Sequence, residues 1–121
     1  MMIQEDEEIE ERIMMEIVVD AYSREERAMG WYYYINDNLE FPFRAKCIKK
    51  RSISPLKVGQ EVKVIGMPDE SECECDMFVT IEYGKDALGV PLSQLEIIDD
   101  KPALKRIITD WHYWIKMGHE F

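Results

Sequence analysis

The chain has 121 residues, 46% of them apolar, which is enough for one domain with its own core and too short to expect two. Acidic side chains outnumber basic ones 25 to 15, and the resulting net charge of −10 repels nucleic-acid backbones and anionic membranes while drawing in cations. The N-terminus, MMIQEDEEIEERIMMEIVVD, lacks the basic start and apolar run of a secretory signal, and no stretch approaches the roughly 20 apolar residues of a membrane span. Cys47, Cys73 and Cys75 cannot all pair within one chain. The expectation is a soluble cytoplasmic protein with no nucleic-acid or membrane partner.

A single domain, 1–121, divides by pattern into an acidic helix (1–20), a second helix (23–39), a sheet (41–98) and a C-terminal helix (100–117). Ile9, Ile13 and Ile17 recur every four residues beside Met14, Val18 and Ala21, an apolar stripe on an acidic helix from about Glu5 to Asp20. Ser23 with Glu26 three residues later reads as a capping box opening the second helix, whose face carries Ala28, Tyr32, Ile35 and Leu39. That helix should stop near Asn36 or Asn38, because Pro42 cannot continue it.

From Phe41 the period changes to two. Phe41, Phe43, Ala45 and Cys47 alternate with Pro42, Arg44, Lys46 and Ile48, Val62 and Val64 begin a second strand, and Met77, Val79, Ile81 and Tyr83 mark the inner side of a third. YGKDA turns the chain into a fourth strand around Leu88 and Val90, and Glu96 to Ile98 form a short fifth. The predicted class is α+β, a small antiparallel SH3-like barrel or bent sheet of about five strands, flanked by two N-terminal helices and one C-terminal helix. In that last helix Asp100 is the expected cap, Pro102 sits in the first turn, Leu104, Ile107, Ile108, Trp111, Trp114 and Ile115 form one stripe, and Gly118 ends it.

Enzymatic signatures are missing: the glycines are isolated, no G-x-S-x-G occurs, and His112 and His119 have no cysteine near them in sequence. His112 reads as a surface or interface residue. Cys73-x-Cys75 with Cys47 departs from the usual C-x₂-C spacing of zinc sites, and Cys47 takes an inward strand position. Arg44, Lys46, Lys49, Lys50 and Arg51 form the one basic patch, which could dock an acidic partner but also fits a solvated strand face. That patch supports an alternative function, an SH3-like interaction module with an incidental acidic surface.

The carboxylates carry the other possibility. In YINDNLEFPF, Asn36, Asp37, Asn38 and Glu40 place four oxygen-bearing side chains within five positions at a helix end whose free carbonyls also attract a cation. The glycine and distal glutamate of an EF-hand are absent, and the same residues could simply end the helix, one asparagine turning left-handed. PDESECECD is a second acidic concentration, in which Asp69, Glu70 and Glu72 could hold another ion or keep a loop soluble.

Four segments, VVDAYSREERAMGWYYYINDNLEFPFRAKC, SPLKVGQEVKVIGM, VPLSQLEII and DWHYWIKMGHEF, resemble the small acidic calcium-binding proteins of cyanobacteria and other bacteria, the CcbP-like family. The resemblance spans nearly the whole chain. It implies Ca²⁺ binding without an EF-hand and a role as a calcium buffer or calcium-responsive regulator, beside the expectation from the missing signatures that the protein is not an enzyme. It implies a metal site at Asn36, Asp37, Asn38 and Glu40, with Glu26 and Asp20 in the same matched block.

Overall fold

The structure, a computed structural model, describes residues 7–18, 21, 23–73 and 76–117. The elements run α1 (Glu7–Arg12), a π-helical turn (Ile13–Ile17), α2 (Arg24–Asn38), β1 (Phe43–Cys47), β2 (Glu61–Gly66), a 3-10 turn (Glu70–Cys73), β3 (Phe78–Tyr83), β4 (Asp86–Pro91), a 3-10 turn (Leu92–Gln94), β5 (Leu95–Ile97) and α3 (Pro102–Lys116). The predicted α+β class and strand count hold.

All strand pairs are antiparallel, in the order β4-β3-β2-β1-β5. The two edge strands, β4 and β5, are joined by three residues. Four Cα steps from Pro91 to Leu95 reach at most about 14 Å, whereas the outer strands of a flat five-stranded sheet stand about 19 Å apart. The sheet must therefore bend until its edges approach, which it does without a β4–β5 ladder to close a barrel. Of the two predicted forms, the open bent sheet is the one adopted.

Phe43, Ala45, Cys47, Val62, Val64, Val79, Ile81, Val90, Leu95 and Ile97 turn inward and are buried, as strand alternation dictates. Trp31 is fully buried and joins α2 to α3, its ring 5.0 Å from Trp111 and 5.5 Å from Trp114 in edge-on and tilted geometry. The helix stripe anticipated Ala28, Tyr32, Ile35 and Leu39 but not Trp31, the largest residue on that face.

Several expectations are corrected. The N-terminal helix is not uniform: α1 gives way to the π turn, which keeps Ile13 and Ile17 buried but leaves Met14 58% exposed. The wider turn rotates Met14 off the inner stripe. Tyr83 ends β3 at the turn into β4 and is 43% exposed, so it does not share the buried side of Val79 and Ile81. β1 starts at Phe43, directly after the cis Phe41–Pro42 peptide, so Phe41 is not part of the strand. Lys101, not Asp100, occupies the N-cap of α3, and no side chain caps it. Asp99, beside it, accepts instead from the Arg44 backbone and guanidinium at 2.8 and 3.0 Å. Asp20, Cys75, Gly118 and His119 lie outside the described residues.

Ser23 does cap α2, its Oγ accepting the Glu26 N–H at 3.1 Å. The N-terminal segment is locked by one buried ion pair. Arg12 donates from Nε and Nη2 to Asp110 at 2.7 and 2.5 Å, and the Asp110 side chain has no exposed surface. Tyr113 adds a hydroxyl donation to Glu10 at 2.9 Å. At Gly30 the Ile17 carbonyl oxygen comes so close that a Cβ would meet it at 2.5 Å.

Candidate metal centre

Asn36, Asp37 and Asn38 are exposed on the last turn of α2, and Glu40 is exposed just past it. No left-handed residue ends this helix. Leu39 N–H closes on the Ile35 carbonyl at 2.9 Å and Leu39 then turns extended (φ −77°, ψ 131°), so the carbonyls of Asn36 and Asp37 face a helix that stops. Asn38 donates its Nδ2 to the Tyr34 carbonyl at 2.7 Å, leaving its amide oxygen as an acceptor.

Glu26 is separated from this group. α2 is helical throughout Arg24–Asn38, and eleven residues correspond to about 16 Å along its axis.

The second acidic segment, by contrast, comes to the same side of the molecule. Asp69 Oδ1 accepts the Ser71 N–H at 3.1 Å while its carbonyl accepts the Glu72 N–H at 2.9 Å, which winds the segment into the turn Glu70–Cys73. Cys73 is buried below that turn, and loss of hydration raises its thiol pKa. Tyr32 donates to the Pro68 carbonyl at 2.7 Å, and the neighbouring Tyr33 hydroxyl donates to Glu70. Tyr33 is thus held protonated above its ordinary pKa, first by that hydrogen bond and by the Glu70 charge, with a smaller contribution from Asp37 one helical turn along. Glu72 is exposed and lines a hollow with Pro68, Phe78 and Gly89.

Tyr33, one helical turn before Asp37 of NDNLE, therefore ties the end of α2 to Glu70 of PDES. Only part of that could be read beforehand: the i, i+4 spacing of Tyr33 and Asp37 is in the sequence, while the contact with Glu70 spans 37 positions and depends on the bend of the sheet. None of Asp37, Glu40, Asp69, Glu70 or Glu72 enters a salt bridge with a described residue. Among the described residues no three Asp, Glu, His or Cys side chains converge as a finished cage, which also leaves no zinc cluster there. The donors are carboxylate, carboxamide and carbonyl oxygens, a set that suits a hard cation and not a soft one.

An open bent sheet with helices at both ends and an oxygen-rich surface at one helix terminus defines a small α+β protein suited to a hard divalent ion. Residues 11–115 match the Calci_bind_CcbP family, described as calcium binding, and the chain belongs to that family. It is 43% identical to Anabaena CcbP, whose crystal structure it matches with a TM-score of 0.87 over 98% of each chain. A calcium binding protein in its calcium-binding form matches at 44% identity and a TM-score of 0.84, over 96% of this chain and 95% of that one. No curated protein matches the sequence.

Proposed function

We propose that this protein takes up Ca²⁺ between the C-terminal end of α2 and the turn Glu70–Cys73, acting as a calcium buffer or calcium-responsive regulator and not as an enzyme. The observation that carries the placement is the Tyr33–Glu70 hydrogen bond, which brings the carboxylate of one acidic segment to the helix end that bears the other. Asp37 and Glu70 supply charge, and Glu40 adds to it. Asn36 and Asn38 supply neutral oxygens, and the last-turn carbonyls contribute the negative end of the helix dipole. Asp69 holds the turn in shape, and Glu26 stands too far along α2 to share the ion.

Calcium ions are the partner this surface selects, and its charge gives no reason for nucleic acid or a membrane to bind; among the described residues no helix is long and apolar enough to cross one. A cytoplasmic location fits the unpaired Cys47 and Cys73.

The test is calorimetric titration of calcium into chelator-treated protein, with Asp37→Asn and Glu70→Gln beside the parent and excess magnesium in a parallel series. Both variants are expected to weaken calcium, with saturable heat surviving magnesium. Unchanged affinity in Glu70→Gln would detach the turn from the site, and loss of all heat in magnesium would reduce the surface to a general polyanion.

A further inference from the structure

Along the flank of α3, bordering its buried stripe at Ile108, lies a second kind of surface. Lys105, Thr109, His112 and Lys116 follow one another at helical spacings of four, three and four and, with Ile108 beside Thr109, line an open hollow of about 430 Å³ bordered by Ile9 of α1 and by Ile48, Glu96 and Ile97 at the sheet. That volume falls within the roughly 300–1,000 Å³ usual for small-molecule sites. Ile48, 38% exposed, supplies most of the hollow's aliphatic surface, and the edges of the buried Ile97 and Ile108, 7% and 4% exposed, continue it.

Its charges are unlike the rest of the chain. In a protein of net charge −10, Lys105 and Lys116 stand at the two ends of the hollow, about 16 Å apart along the helix, and neither enters a salt bridge with a described residue. The two ends differ. At the Lys116 end, His112 is half-buried with its Nε2 unpartnered, and loss of hydration holds its pKa below the ordinary value, the Lys116 charge adding to this while the backbone at Leu92 and Leu95 and the Glu96 carboxylate oppose it. Glu96 lines the same hollow as His112 and Lys116, so its carboxylate offsets the Lys116 charge at that end. At the Lys105 end, the Thr109 hydroxyl sits one turn from the ammonium and offers a second donor.

We propose that this hollow binds a medium-chain aliphatic carboxylate, its carboxylate on Lys105 and Thr109 and its hydrocarbon tail laid along Ile108, Ile97 and Ile48 towards His112. The apolar floor supplies affinity, and the asymmetric charge fixes direction. The site is separate from the acidic end of α2 and does not depend on the calcium reading.

The experiment titrates decanoate, below its micelle concentration and in chelator so that no calcium soap forms, into ¹⁵N-labelled protein, with decanol and decyltrimethylammonium as controls. The expected result is one saturable site with shifts confined to α3 and β5, little effect of the cationic control, and about tenfold weaker binding in Lys105→Glu, the scale of one charge-assisted contact. Ile48→Asp, at an exposed position, should weaken binding without unfolding the chain, as an unchanged amide spectrum would show. Equal binding of the cation or of decanol, shifts elsewhere, or an unaffected Lys105→Glu would overturn the assignment. Sedimentation that shows Ile48→Asp dissociating a dimer would give the hollow to a second copy instead, which also overturns it.

Discussion

Asp110 and Asp37 carry the same carboxylate in opposite settings, the first sealed beneath α1 with both oxygens on Arg12, the second exposed at the end of α2 with no cation among the described residues facing it. Burial makes an unpaired charge costly, so the fold supplies Asp110 with a fixed guanidinium partner. Asp37, Glu40 and Glu70 are exposed to water and stay open to the divalent ion proposed for them. Charge that serves the fold is neutralised within the chain, while charge that serves binding is left for a ligand.

The strongest test of that contrast removes the buried partner. Arg12→Ala leaves Asp110 charged and desolvated and is expected to cost about 3–5 kcal/mol in urea melts, as breaking a buried pair usually does. Asp37→Asn should fall within about 0.5 kcal/mol of the parent without calcium, as exposed substitutions do. A loss under about 1 kcal/mol for Arg12→Ala would mean that the N-terminal segment is not part of the cooperative fold.

Calcium should act on the exposed side alone. A ligand bound only by the native state stabilises it by RT ln(1 + [L]/Kd), about 2.7 kcal/mol at 100 times Kd. The same increment should appear in Arg12→Ala, because the two sites share no residue. An increment that vanishes in Arg12→Ala would show the two regions to be coupled.

How much of this was legible in the sequence follows from the range of each interaction. Periodicity located all five strands and both long helices, since alternation and the 3.6-residue stripe are local. The cap at Ser23 was legible for the same reason, whereas Asp100 was a wrong cap: α3 takes Lys101 at its N-cap with no side-chain bond, and the Arg44 contact that engages Asp99 spans 55 positions. Arg12–Asp110, 98 residues apart, left no local mark, and neither did the meeting of Tyr33 with Glu70. The acidic segments could be named singly, but their adjacency required the fold.

Gly30 sharpens the buried side more gently. Alanine is the better helix former by about 1 kcal/mol, so at an open helical position Gly30→Ala would stabilise. Here the new Cβ would meet the Ile17 carbonyl at 2.5 Å, and backbone cannot yield as a flexible side chain does. The expected net effect is a loss of about 1–3 kcal/mol from overpacking, with faster hydrogen exchange in Ile13–Ile17 than in the sheet. A more stable variant would show that the N-terminal segment does not press on α2.

The smallest effect expected is that of Tyr33→Phe, and it probes the link between the two acidic segments. Tyr33 is exposed, so losing its hydroxyl should barely move the melting midpoint. A carboxylate has two oxygens and about four acceptor positions, of which the phenol uses one, so Glu70 can hold Tyr33 and still present its other oxygen to an ion. Tyr33 then orients Glu70, and its removal should weaken calcium by less than about fivefold, the scale of an exposed charged contact. The phenol reports the same event directly. Its pKa is raised first by its hydrogen bond to Glu70 and then by neighbouring negative charge, and an ion that neutralises Glu70 and Asp37 weakens the first cause and removes the second. Calcium should therefore shift the ultraviolet phenolate titration of Tyr33 to lower pH, and difference spectra against Tyr33→Phe isolate it from the other tyrosines. A titration unmoved by saturating calcium would place the ion away from Glu70 and Asp37, and an affinity that rises in Tyr33→Phe would make the phenol a competitor of the metal.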